Sequence, residues 1–99
     1  MEITLQYFNG CPNWLIAAER LALIAQERTD ITVTHLLVET PEEAEATGFR
    51  GSPSILLDGA DLFPDRTSSV GLSCRLYQTP DGIAGAPTLE QLRAAISTI

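Results

Sequence analysis

Lysine is absent from this 99-residue sequence, and histidine occurs only once, as His35. The lack of lysine excludes Schiff-base chemistry and a P-loop, because both need a lysine side chain. A single histidine excludes a histidine-rich metal site and argues against a Ser-His catalytic triad. We therefore expect neither a metal ion nor a cofactor. We interpret His35, which falls in a predicted strand, as a structural residue rather than a ligand.

Positive charge is also scarce, since six arginines face thirteen acidic residues and give a net charge of −7. This balance argues against a nucleic-acid partner and against an anionic membrane surface. The first residues, Met1 to Thr4, carry neither a basic segment nor a long apolar run. We therefore expect no signal peptide and no transmembrane span, and a cytoplasmic location. Length and composition predict one domain over residues 1–99.

Hydrophobic periodicity and turn residues predict an α/β fold. The predicted elements are a strand at 3–8, a helix at 12–28, a strand at 31–38, a short helix from Pro41 to Gly48, a strand at 55–57, a tight turn at Asp58-Gly59, a strand at 60–63 and a final helix from Thr88. Residues 64–86 form a long insertion, and connections of this length are often functional. Ile16 and Leu23 lie opposite the main apolar stripe of the first long helix, so a second side of this helix is expected to be covered, by the chain itself or by a second copy.

The two later helices carry signals for their ends. Thr40 is the predicted N-cap of the short helix, with Glu43 in capping-box position and Gly48 as the C-cap. Thr88 and Gln91 form a second predicted capping box at the final helix. The apolar stripe predicted for that helix consists of Leu89, Leu92, Ile96 and Ile99.

The segment around Cys11 is the strongest candidate for a functional site. It joins the first strand to the first long helix through an Asn9-Gly10 turn, and Pro12 suits a first helical turn. A thiolate is stabilised at the start of a helix, because the helix dipole is positive there. The alternative is a buried, inert cysteine. Two cysteines in a cytosolic chain are more often catalytic, redox-sensing or inert than structural cross-links.

Two motifs and the element order resemble the thioredoxin-like superfamily. Cys11-Pro12-Asn13-Trp14 is similar to its Cys-x-x-Cys active-site turn, and Ser52-Pro53 is similar to the segment in which that family carries a cis-proline facing the active cysteine. The resemblance implies a thioredoxin-like α/β fold of order βαβα-ββα, with a four-stranded mixed sheet and an inserted loop before the last helix. It also implies a thiol-disulfide oxidoreductase with Cys11 as nucleophile. Pro12, Trp14, Ser52 and Pro53 would then contact a thiol or disulfide substrate, either a protein or glutathione.

The sequence departs from the family pattern at Trp14, which stands where the second cysteine is expected. A second thiol releases the mixed disulfide in such enzymes. Here that thiol would come from Cys74, from glutathione or from a partner. Alternatively, the domain only binds its partner without turnover. A third hypothesis is an organomercurial or metal-handling thiol protein, because some similar small chains are associated with alkylmercury lyase. That chemistry would need both thiolates and a carboxylic acid.

Three placements remain open at this point. The Ser52–Pro53 bond is expected to be cis, with a trans proline opening an edge strand as the alternative. Trp14 either lies partly exposed beside Cys11 or packs along the helix stripe. Cys74 either points into the core from a strand at 72–77 or lies on a flap over Cys11. The tight Asp58-Gly59 turn favours the flap, because it fixes a strand at 60–63 locally. We expect a monomer or a weak homodimer.

Overall fold

The computed structural model of the protein describes residues 1–64 and 71–97. Its elements in chain order are β1 (Glu2–Tyr7), α1 (Trp14–Glu27), β2 (Thr32–Leu37), α2 (Pro41–Thr47), β3 (Ser54–Leu57), β4 (Ala60–Asp61), β5 (Tyr77–Thr79), β6 (Gly82–Ala84) and α3 (Leu89–Ser97). The predicted mixed α/β fold is confirmed. The insertion predicted at 64–86 lies partly outside the described residues. Ile99, which was expected to continue the apolar stripe of α3, lies outside them.

Four strands form one mixed sheet in the order β2-β1-β3-β4. β1 runs parallel to β2, which fits the intervening helix α1, because parallel neighbours need a crossover connection. β1 and β3 are antiparallel, and so are β3 and β4. The turn between β3 and β4 is the one predicted at Asp58-Gly59, where both residues have positive φ values of 49° and 91°.

The two faces of this sheet are covered by different helices. Ile3 and Leu5 point to one face and are fully buried in a core that includes residues of α1 and α3. Phe8 has the opposite parity along the same chain segment and packs in a second cluster, with Phe49 and with Ala44 of α2, on the other face. The turn at residues 8–13 joins the carboxyl end of the inner strand β1 to the start of α1.

Local sequence signals account for both ends of α2 and for the start of α3. Thr40 Oγ1 accepts a hydrogen bond from the amide of Glu43 at 3.1 Å, and Gly48 closes α2 with a φ of 70°. At α3, Thr88 and Gln91 form the predicted reciprocal capping box, with distances of 2.9 and 3.1 Å. These predictions depended only on neighbours in sequence, and the structure confirms them.

The structure corrects one expectation about α1 and adds an element. Ile16 and Leu23 are exposed, so residues 1–64 and 71–97 do not cover the second side of α1. The separate hairpin β5–β6 was not predicted. The turn signal Pro80-Asp81-Gly82 could have indicated it, but the flanking strands are only three residues long. Within residues 1–64 and 71–97, no helix is long and apolar enough to cross a membrane.

Candidate functional site

Cys11 and Cys74 form a disulfide, with their Cα atoms 5.7 Å apart and 63 positions apart in sequence. Cys11 lies in the turn between β1 and α1, where its amide donates to Phe8 O at 3.4 Å. Cys74 lies in the segment between β4 and β5, so the placement over Cys11 is confirmed and the placement in a core strand is wrong. Cys11 is 0% exposed, whereas Cys74 is exposed at the surface.

The segment that carries Cys74, residues 73–77, pairs with Ser52, the residue before Pro53. The Ser52 amide donates to Ser73 O at 2.8 Å, and the Arg75 amide donates to Ser52 O at 3.0 Å. Ser52 and Cys74 thus form an isolated parallel bridge. The Ser52–Pro53 bond is cis, as predicted. Both backbone groups of Ser52, which was expected to contact a substrate, are therefore bonded to the chain's own residues Ser73 and Arg75.

Arg75 fixes this segment through its side chain and is the one buried charged residue within residues 1–64 and 71–97. Its guanidinium lies 2.9 Å from Asp61 Oδ2, and its side chain is 2% exposed. It also donates to Ser54 Oγ at 3.3 Å and to the carbonyl of Phe63. Because a buried charge is tolerated only when it is paired and hydrogen-bonded, these contacts hold the backbone next to Cys74 in place.

Tyr77 connects the same segment to Pro53 through a side-chain hydrogen bond. Its hydroxyl donates to the carbonyl of Pro53. The guanidinium carbon of Arg75 lies 4.8 Å from the Tyr77 ring centroid, which is within the range of a cation–π contact. Burial raises the pKa of Tyr77 well above its usual range, although the positive charge of Arg75 acts in the opposite direction. The phenol is therefore a neutral hydrogen-bond donor.

The other predicted site residues lie around the Cys11 turn. Pro12 is exposed, and Trp14 is partly buried. The Trp14 ring stacks on Tyr7 with centroids 4.0 Å apart and meets His35 edge-on at 6.0 Å. Trp14 also packs against the main core, which is the alternative that the helix stripe suggested. Its stacking on Tyr7 shows that the aromatic side chain at this position fills space against β1.

Sequence reasoning missed Arg75, Asp61 and Tyr77 as parts of this site. Arginine and aspartate are usually exposed, so neither position carries a signal of burial in the sequence. Alternation in 72–77 was visible, but it suggested the less favoured core placement of Cys74, and the structure shows the opposite burial pattern. Arg75 and Tyr77 are buried, whereas Cys74 and Leu76 are exposed.

The described residues contain no group of three or more histidine, cysteine, aspartate or glutamate side chains that could hold a metal ion. A disulfide with one exposed and one buried half can exchange with an external thiol, provided that the attacking thiolate reaches a sulfur atom. No family model matches this sequence, and a comparison with curated proteins finds no match either.

Proposed function

We propose that this chain is a thiol-disulfide oxidoreductase of thioredoxin-like fold, with the Cys11–Cys74 pair as its redox centre. The sheet order β2-β1-β3-β4, with helices on both faces, is compatible with that fold. The cis Ser52–Pro53 bond beside the cysteine pair agrees with the motif that suggested the family. The proposed substrate is a disulfide of a protein or of glutathione.

The observation that carries the proposal is the position of the pair. Cys11 stands at the turn before α1, which stabilises a thiolate through the helix dipole. Cys74 supplies the second thiol that Trp14 replaces in the turn itself. The second cysteine is thus contributed by a distant segment rather than by the first turn of α1.

Non-covalent contacts hold the Cys74 segment independently of the disulfide. Two backbone hydrogen bonds to Ser52, the buried contacts of Arg75 and the hydroxyl of Tyr77 all remain available after reduction. A redox centre needs a folded reduced form in which the two thiols stay close together. These contacts favour turnover over a purely structural cross-link.

The reaction balances as a two-electron exchange. In the reduced protein, one cysteine thiolate attacks a substrate disulfide and releases one substrate thiolate. The other cysteine thiolate then attacks the mixed disulfide, releases the second substrate thiolate and forms the Cys11–Cys74 bond. The protein is oxidised by two electrons and the substrate is reduced by two, and an external dithiol such as dithiothreitol restores the starting state.

Turnover of a small test disulfide measures this activity directly. With dithiothreitol as reductant, the wild-type protein should accelerate reduction of bis(2-hydroxyethyl) disulfide above the uncatalysed rate. The Cys11→Ser/Cys74→Ser double variant should leave the background rate unchanged. If wild type and double variant are equally inactive on this disulfide and on a glutathione mixed disulfide, the binding-module hypothesis is favoured instead. Cleavage of a carbon–mercury bond by wild type alone would favour the organomercurial hypothesis.

A further inference from the structure

The two halves of the disulfide differ in their access to solvent. Cys11 has no exposed surface, whereas Cys74 is exposed. Exchange requires a thiolate to reach one sulfur atom along the direction of the bond that breaks. In the oxidised fold, only the sulfur of Cys74 belongs to a residue at the surface.

We propose that external thiols and disulfides react at Cys74, and that the buried Cys11 is the resolving cysteine. This inference rests on the proposed function and reverses the roles that the family resemblance implies, in which Cys11 is the nucleophile. An external thiolate attacks Cys74 Sγ, the Cys74–Cys11 bond breaks, and Cys11 leaves as a thiolate. The new bond is a mixed disulfide between the external thiol and Cys74.

The position of Cys11 suits a leaving group. A disulfide is cleaved faster when the departing thiolate is stabilised. Cys11 lies three positions before Trp14, where α1 begins, so the positive end of the helix is close to the departing charge. In the reverse direction, the Cys74 thiolate attacks the substrate disulfide, and Cys11 then attacks Cys74 Sγ and releases the second substrate thiolate.

The Cys74 segment also has the backbone alternation that such a role needs. Arg75 and Tyr77 are buried and fix the segment, whereas Cys74 and Leu76 are exposed residues. The reactive residue is therefore held at the surface by a segment whose alternate residues are fixed to the core. Burial of Cys11 shields its thiolate from external disulfides, so that this thiolate reacts with the neighbouring Cys74.

Mapping of the mixed disulfide tests this assignment. The oxidised wild-type protein is mixed briefly with reduced glutathione, quenched with acid, and the released thiols are blocked with N-ethylmaleimide. Trypsin cleaves after arginine and separates the two sites, because Cys11 lies in peptide 1–20 and Cys74 in peptide 67–75. Glutathione should be found on peptide 67–75, and N-ethylmaleimide on peptide 1–20. The opposite labelling would overturn the assignment while leaving the proposed function intact.

Single variants provide a second test, because with only one cysteine present the mixed disulfide cannot move from one cysteine to the other. Reduced Cys11→Ser protein, which keeps Cys74, should react with glutathione disulfide at least about tenfold faster than reduced Cys74→Ser protein, because the buried thiol must wait for a local opening. Equal rates, or a faster Cys74→Ser variant, would overturn the assignment. If neither the wild type nor either single variant forms a mixed disulfide, the assignment and the proposed function both fail.

Discussion

Gly51 lies directly against the backbone of Arg75. A β-carbon at position 51 would come within 3.0 Å of Arg75 Cβ and 3.2 Å of its amide nitrogen, and the φ of Gly51 is +119°. No other residue type fits this place without a shift of the segment that carries Cys74. The close approach is what allows the parallel bridge between Ser52 and Cys74 to form.

We predict that Gly51→Ala destabilises the fold by about 2 kcal/mol or more, because it combines backbone strain with a backbone clash. The matched control is Gly59→Ala. Gly59 also has a positive φ, of +91°, but nothing lies within 4 Å of its would-be β-carbon. That control should cost only about 1 kcal/mol, from strain alone. Urea unfolding of the two variants measures the difference, and equal losses would show that the contact with Arg75 contributes nothing.

The pair Arg75–Asp61 should stabilise the Cys74 segment measurably. Asp61→Asn leaves a guanidinium that is 2% exposed without its carboxylate partner. We expect a loss of about 2–3 kcal/mol, at or below the range for a fully buried pair because Asp61 keeps some access to water. The control is Glu27→Gln, which breaks the ion pair of Arg93 at the surface, where both side chains are about half exposed. A much smaller loss is expected there, because water screens exposed pairs.

The same Asp61→Asn variant has a redox readout. A loosened segment keeps the Cys74 thiol near Cys11 for a smaller fraction of the time, so the effective concentration of one thiol at the other falls. In glutathione buffers of graded composition, the variant should be reduced under more oxidising conditions than wild type. An unchanged midpoint would indicate that the backbone bonds to Ser52 alone hold the segment.

How far the sequence predicts this site depends on the distance over which each signal acts. The caps at Thr40 and Thr88 and the turn at Asp58-Gly59 depend on residues within four positions, and all three were predictable. The proximity of Cys74 to Cys11 followed from one local turn that fixed where the chain returns. The burial of Arg75 was not predictable, because it depends on side-chain partners 12 to 21 positions away in sequence.

We predict that the free energy of unfolding falls at alkaline pH because of Tyr77. Burial raises its pKa above the ordinary value of about 10, so the folded protein keeps a proton that the unfolded chain loses. The unfolded state then binds fewer protons, and the free energy of unfolding falls as the pH rises above about 10. Below that pH, the contribution of Tyr77 is fully present.

Urea unfolding at a series of pH values measures this slope, and Tyr77→Phe should remove the part that belongs to Tyr77. Tyr7→Phe is the matched control, because it also removes one phenol hydroxyl but leaves the hydrogen bond from Tyr77 to the carbonyl of Pro53 in place. That control should keep the Tyr77 contribution. If the alkaline slope is the same in wild type and in Tyr77→Phe, the buried phenol is not its source.

Reduction of the Cys11–Cys74 disulfide should weaken the fold without unfolding it. The bond closes a loop over 63 positions, and opening a loop of that size costs about 4 kcal/mol through the entropy of the unfolded chain. Domains of this size have total stabilities of about 5–15 kcal/mol, so the reduced form is expected to stay folded. Urea unfolding with and without dithiothreitol measures the difference, and the Cys11→Ser/Cys74→Ser variant should not respond to the reductant.

If the reduced protein is unfolded in the absence of urea, the contacts of Arg75 and Tyr77 do not hold the segment by themselves. The disulfide would then be a structural cross-link rather than a centre for turnover.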